Sequence, residues 1–417
     1  MKFKKILLVG FLLLFFFLDV LLNITFKGGH GNPTMKYDVI PISHRLANDL
    51  SDYEAVEQLD GKIADFLVKR KIHGASVAIS HEGKLIYAKG FGYSNFEKNE
   101  TVEPKHLFRI ASVSKLITAV AIMKLHEDKV LSIDDRVFGE NGVLGDSVYQ
   151  PEDEKYNKIT IHHLLVHTAG WSRRRGDPVF MPLTVANTLN IDPPVDAENV
   201  IQYALLKPLD YDPGKKYSYS NLSFIILGQI IETVTGLAYE DYVRFEILEP
   251  LGIYDMHIGK NFYDERYKNE VKYYEYGNSG PVYAFDGSGE VVPQAYGGNN
   301  IQLLGPAGGW VASAVELMKL MVAVDGFPEQ PDVLKKETIE LMTDRNINGN
   351  SLIGWKGSDG RGNWWRTGTL SGTAALILRQ HNKVNWIMLL NTTTKRRDRI
   401  HSEISRLMFE SVHTIDE

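Results

Sequence analysis

In the stretch Ser112-Val113-Ser114-Lys115, two side chains that can do covalent chemistry stand three residues apart. Residues i and i+3 of a helix share a face, so the Lys115 ammonium can lie against the Ser112 hydroxyl. Directly behind, Leu116 to Leu125 is apolar nearly all round, which predicts a helix buried on every side. Burial disfavours a charged ammonium and makes Lys115 a proton acceptor near neutral pH, while the helix N-terminus offers free N–H groups to a developing oxyanion. The alternative reading of the same residues is an N-cap serine followed by a solvated lysine. Composition also directs the search to hydroxyls. The 417 residues contain no cysteine, which excludes a thiol nucleophile, a disulfide framework, a zinc ribbon and an iron–sulfur cluster.

Two further clusters follow in order. Tyr219-Ser220-Asn221 stands just before the apolar run to Thr235, so a phenol and an amide project from one loop. Arg366-Thr367-Gly368 precedes the strand-like run Thr373 to Arg379, where an edge strand can present backbone groups to an extended substrate. The G-x-S-x-G elbow, the G-x-G-x-x-G fingerprint and the P-loop are absent from the sequence.

Together these clusters resemble the three active-site motifs of the serine β-lactamase and penicillin-binding protein superfamily. The resemblance is to its branch of class C β-lactamases, D-alanyl-D-alanine carboxypeptidases and related esterases. His163-Leu164-Leu165-Val166-His167-Thr168-Ala169-Gly170 is similar to that branch's "LL-x-HTSG" stretch. Gly305-Pro306-Ala307-Gly308-Gly309-Trp310 with Ser313 resembles its "GGL-x-S" turn, and Ile353-Gly354-Trp355 its "GLGW" strand. The likeness runs from about Gln58 to Met408. It implies that Ser112 is the acylated nucleophile, that Lys115 and Tyr219 share general-base and general-acid work, and that Asn221 holds the substrate amide. It further implies an oxyanion hole from the N–H groups of Ser112 and Thr369, with Thr367 and Gly368 lining the substrate path. The family places Lys or His first in the third motif, and this chain has Arg366. The planar Arg366 fork suits a substrate carboxylate, such as a D-amino-acid terminus or a β-lactam; otherwise it faces solvent or pairs with an acid.

The elements that would position these groups are legible in outline. A surface helix is expected near Tyr53 to Lys71, then a hairpin of Ala75–Ser80 and Leu85–Gly92. A short helix opens at Thr160, an Arg-, Pro- and Asp-rich loop runs from Ser172 to about Val195, and helices follow at Asn221–Thr235, Tyr239–Ile253 and Leu317–Val324. Residues 263–300 lack periodicity and read as an inserted lobe or lid. Strands at Thr373–Arg379 and Val384–Leu390 and a helix at Arg399–Phe409 close the chain. This order predicts an α+β sandwich with an antiparallel sheet built from both chain ends. The α/β part would take about 50–110 and 300–417, and a mostly helical lobe about 111–299.

Lys2, Lys4 and Lys5 precede an apolar run from Ile6 to Leu22, the pattern of an export signal or an uncleaved membrane anchor, with a linker to residue 34. The protein is therefore expected to be exported, periplasmic or otherwise extracytoplasmic, with membrane attachment through the N-terminus as one form. A formal charge of -6 argues against nucleic acid as a partner. The partner expected is a small-molecule or peptide substrate, cell-wall-derived ones included. No metal or cofactor is expected. His163 and His167 have the i,i+4 spacing of zinc ligands but lack the Glu of a metalloprotease, and the preferred reading is His167 as a buried loop anchor. Arg173-Arg174-Arg175 either guides an anionic substrate or is a solvated loop, and Trp171, Trp310, Trp364 and Trp365 either line a pocket or fill the core.

Overall fold

The structure, a computed structural model, describes residues 54–412 apart from 146–147, 276–279, 350 and 395–398. The segment read as an export signal or anchor lies outside the described residues. Helix α1 (Glu54–Arg70) leads into the hairpin β1 (Gly74–His81) and β2 (Lys84–Asn95), and the short strands β3 (Glu100–Thr101) and β4 (Phe108–Arg109) precede α2 (Ser114–Glu127). Helices α3 (Ile161–Leu165), α4 (Pro182–Leu189), α5 (Ala197–Leu205), α6 (Leu222–Thr235) and α7 (Tyr239–Val243) form the middle of the chain. Then come β5 (His257–Ile258), β6 (Val282–Tyr283), β7 (Val291–Val292) and β8 (Trp310–Ala312), followed by α8 (Ala314–Val322), α9 (Lys336–Thr343) and α10 (Arg345–Asn348). Strands β9 (Gly357–Ser358), β10 (Trp364–Leu370), β11 (Thr373–Arg379) and β12 (Val384–Leu390) lead to α11 (Ile400–Val412).

Both chain ends contribute to a seven-stranded antiparallel sheet in the order β3-β2-β1-β12-β11-β10-β9. Leu390 of β12 stands between Ala75 of β1 and Ala374 of β11. Side chains alternate across a strand, and here both faces are apolar because both are covered. Val77, Ile79, Leu376, Trp386 and Met388 pack with Leu59, Ile63, Ile404 and Met408 of α1 and α11. From the other face, Ala78, Ile377, Ile387 and Leu389 enter a core that runs without a break through α2 and α6. This is the mixed, sheet-centred architecture that the sequence predicts.

Three local expectations need correction. Arg366-Thr367-Gly368 precedes the Thr373 strand as expected but itself lies inside a further strand, β10, because the Thr373 run is the second arm of a hairpin whose turn is Ser371-Gly372. The loop from Ser172 to Val195 contains α4, which a proline at its first turn makes possible where the polar composition suggested irregular chain. The expected helix to Ile253 is α-helical only to Val243 and goes on as a wide turn to Leu248 and a tight one to Leu251, around Pro250, which has no N–H to donate.

Candidate active site

Ser112 sits in a tight turn, Ala111–Val113, immediately before α2. Ala111 has φ +49°, a region that costs a non-glycine residue about 1–3 kcal/mol unless its surroundings enforce it. They do so here. The Ile110 N–H donates to the Trp310 carbonyl at 3.0 Å, and Thr373 Oγ1 donates to the Arg109 carbonyl at 2.8 Å. Strand β10 presses on the same turn: a Cβ on Gly368 would lie 2.9 Å from Ser112 N and nearer still to the Ile110 carbonyl. Only glycine allows that approach.

Lys115, in the first turn of α2, is fully buried. Its Nζ donates to Asn221 Oδ1 at 2.7 Å, to the Ala307 carbonyl, and to Ser112 Oγ at 3.4 Å. Three acceptors meet the three N–H groups of an ammonium, yet burial pushes the group down toward its neutral form, with Arg366 adding to the push and Tyr219 opposing it. Tyr219 OH donates to the same Ser112 Oγ at 2.8 Å, and Lys115 Nζ lies 5.1 Å from the centre of the Tyr219 ring. Burial alone would raise the phenol, but the cations Lys115 and Arg366 outweigh it and bring Tyr219 down to about 8. A hydroxyl held between a poorly solvated amine and an acidified phenol can lose its proton to either one.

The loop that carries Tyr219 is fixed from behind by His167. Its ring lies 4.6 Å from the Tyr219 ring, and its Nδ1 accepts from the Ser220 N–H at 3.3 Å. Burial holds this imidazole well below its ordinary value, so it acts as a neutral acceptor, matching the loop-anchor reading. His163 points elsewhere: its Nδ1 accepts from the Thr160 N–H at the start of α3. Asn221 is held on both edges, accepting from Lys115 and donating Nδ2 to Asp177 at 2.8 Å.

Arg366 departs from the sequence expectation. It is 2 % exposed, its Nε donates to the Ser112 carbonyl at 2.9 Å, and Nη1 donates to the Gly354 carbonyl at 3.2 Å. The fork expected to grip a carboxylate is spent on the backbone of the nucleophile's turn, and Nη2 is its unpartnered nitrogen. The exposed cations that line the groove are instead Arg173 and Lys356, and Lys356 Nζ donates to Thr367 Oγ1 at 2.9 Å. Of the three arginines, Arg173 lies 5.1 Å over the Tyr219 ring, whereas Arg175 turns away to Asp210. Trp310, Trp355 and Trp386 are core residues, and Trp171 borders a smaller cavity behind Tyr219.

An open groove is lined by Ser112, Tyr219, Asn221, Arg366, Thr367 and Thr369. Among the described residues, β10 pairs with β9 only at Trp364 and Trp365, so one side of its backbone from Arg366 to Leu370 has no strand partner. Thr369 follows the Gly368 carbonyl, which accepts from His401 Nε2 of α11 at 3.1 Å. His401 and Lys356 were missed in the sequence: His401 comes from α11, and Lys356 directly follows the Ile353-Gly354-Trp355 stretch, just before β9, with nothing in that stretch to mark it.

With this geometry in place, comparison with known proteins is decisive. The Beta-lactamase family model matches residues 59–406. The chain belongs to the Beta-lactamase family. Its relatives in that family include Protein flp of Staphylococcus aureus (strain NCTC 8325 / PS 47), 29% identical over 239 residues, 57% of this chain and 44% of that protein. The teichoic acid D-alanine hydrolase of Staphylococcus aureus (strain MRSA252) is 28% identical over 261 residues, 62% of this chain and 58% of that one. The chain thus spans roughly half the length of these curated relatives. Among solved structures, the octameric penicillin-binding protein homologue from Pyrococcus abyssi is 26% identical, with a TM-score of 0.64 over 85% of this chain and 77% of that one.

Proposed function

We propose that this protein is a serine hydrolase that works through an acyl-enzyme on Ser112. The observation that carries the proposal is the convergence of Lys115 and Tyr219 on one hydroxyl, in a groove bordered by an open strand edge. Ser112 Oγ attacks the substrate carbonyl carbon while its proton passes to the Tyr219–Lys115 pair. The oxyanion rests on the N–H groups of Ser112 and Thr369, a contact typically worth about 3–4 kcal/mol of barrier per donor. The pair then returns the proton to the leaving nitrogen or oxygen. Water, activated by the same pair, releases the acyl group.

The substrate proposed is an amide of a D-amino-acid peptide or a β-lactam, with a carboxylate on the leaving side. Support comes from two cations that line the groove, Arg173 over the Tyr219 ring and Lys356 bonded to Thr367. A second reading is an esterase of the same family; the teichoic acid D-alanine hydrolase among the relatives supports D-alanine release as an alternative to peptide or β-lactam cleavage. That relative also supports a cell-envelope location, as does the basic and apolar N-terminal pattern. A catalytically silent, ligand-binding role is disfavoured by the hydrogen bonds that both Lys115 and Tyr219 donate to Ser112 Oγ.

Labelling with a fluorescent penicillin or a fluorophosphonate tests the proposal. Wild type should label with a one-adduct mass shift, and Ser112→Ala should not label. A wild type that neither labels nor turns over any ester or amide refutes it.

A further inference from the structure

Strand β10 meets a histidine from the last helix of the chain at one particular peptide unit. The register of β10 with β11 runs without a shift from Trp364 to Leu370. On the other side of β10 the Trp365 carbonyl accepts from the Lys356 N–H at 2.9 Å, so Trp365 aims its backbone groups away from β11. Along a strand these groups alternate sides with a period of two. Thr367 and Thr369 therefore present their N–H and C=O groups to the edge that β9 leaves open beside Ser112, whereas Gly368 turns its own toward Ala375 of β11.

The Gly368 carbonyl and the Thr369 N–H belong to one peptide unit. A trans peptide is planar with its C=O and N–H antiparallel, so a contact that fixes the carbonyl also aims the N–H at the groove. His401 makes such a contact: its Nε2 lies 3.1 Å from the Gly368 oxygen and 3.5 Å from Thr369 Oγ1. A carbonyl oxygen only accepts, so the proton of the shorter bond is on Nε2. Burial holds the imidazole below its ordinary value, and the ring that donates at neutral pH is the uncharged one. The core sets its position. Ile400 and Ile404 of α11 are buried in the cluster that holds Ala374, Leu376 and Trp386 of the sheet. A histidine fixed in this way limits the tilt of the peptide and also polarises it, because linked hydrogen bonds strengthen one another.

We propose that His401 is a positioning residue for the oxyanion hole: by donating to the Gly368 carbonyl it aims and strengthens the Thr369 N–H that receives the substrate oxygen. The inference rests on the reading of Ser112 given above. The hydrogen bonds of the His401 ring go to Gly368 and Thr369, not to Ser112, Lys115 or Tyr219. Its contribution is therefore to the charge that develops on the carbonyl oxygen and not to proton transfer. The last helix of the chain thereby acts on a reaction whose nucleophile stands at residue 112.

Exchanging the acceptor atom of the substrate separates this role from general support of the fold. In a thionoester the atom that enters the hole is sulfur, a weak hydrogen-bond acceptor, so a change confined to the hole registers less on it. The probes are p-nitrophenyl acetate and its thionoester analogue. His401→Leu and His401→Met remove the donor and keep the bulk, and His401→Gln keeps an N–H; thermal unfolding of each shows that it folds. Without the donor, kcat/KM on the oxygen ester should fall about tenfold, a part of the 10²–10³ that complete loss of one oxyanion donor costs. On the thionoester it should fall by less than about threefold, and His401→Gln should return the oxygen ester to within about threefold of wild type. A donor-less variant as fast as wild type, an equal fall on the two esters, or a His401→Gln no better than His401→Leu overturns the inference and leaves the Ser112 reading standing. A wild type that fails to label at Ser112 removes that reading and this inference with it.

Discussion

Tyr219 is where the electrostatics of the groove become measurable. To take the Ser112 proton the Tyr219–Lys115 pair must first give up one of its own, so acylation should rise with pH through about 8, where the phenol titrates. Arg366 is one of the cations that hold it down; Arg366→Gln should move this limb to higher pH, because losing a nearby positive charge favours the neutral phenol. Tyr219→Phe should abolish the limb and lower kcat/KM by about 10²–10⁴. The pH dependence of kcat/KM on a chromogenic ester checks both, and a limb that survives Tyr219→Phe would belong to another group. At this scale the sequence was informative where partners are close in it. Ser112 with Lys115 and Tyr219 with Asn221 were legible because each pair stands within three residues of sequence. Asp177, Lys356 and His401 were not, since single polar residues carry no spacing, and Arg366 was misjudged because burial against the Ser112 carbonyl cannot be read from its type.

At the scale of elements, β10 lies close against the turn before α2, and on the proposed mechanism this contact would set the distance from Ser112 to the oxyanion donor on Thr369. Gly368→Ala would drive a methyl group against the Ile110 carbonyl and Ser112 N, backbone atoms that cannot rotate aside. Overpacking of this kind costs about 1–3 kcal/mol. The variant should therefore melt several degrees lower and lose most of its acylation rate, measured by thermal unfolding and by labelling kinetics. Strands β11 and β12 were predicted at their observed limits because a continuous β-branched and apolar run has no other home in a covered sheet. Strand β10 escaped notice for the opposite reason: Arg366, Thr367 and Gly368 break its apolar pattern because they face the groove and the Ser112 turn instead of the core.

For the whole molecule, net charge and local charge have opposite signs. The chain carries -6 overall, yet the described residues lining the groove include Arg173, Lys356 and Arg366 and no acid. A field of this kind attracts anions locally and is screened over about 10 Å at 0.1 M salt. For an ester with a carboxylate on its leaving side, kcat/KM should fall severalfold between about 0.02 and 0.5 M salt, whereas a neutral ester should change little. Equal salt dependence of the two, measured by steady-state kinetics, would remove the case for an anionic leaving side. The composition gave the global sign, but only the fold reveals the local one, because it gathers cations from segments far apart in sequence.

The sheet's strand order also governs time. The His73 N–H is satisfied by Thr392 Oγ1, 319 positions away, and β12 lies between β1 and β11. At about 5–20 residues per second of synthesis, β1 would wait tens of seconds for its neighbour to be made. Throughout that interval Ser112 and Lys115 exist, but β10 and the last strands are absent, and the turn that holds the hydroxyl has nothing pressing on it. On the mechanism proposed for Ser112, a growing chain would therefore carry its nucleophile before the strand that presses on the nucleophile's turn, and acylation would have to wait for the last strands.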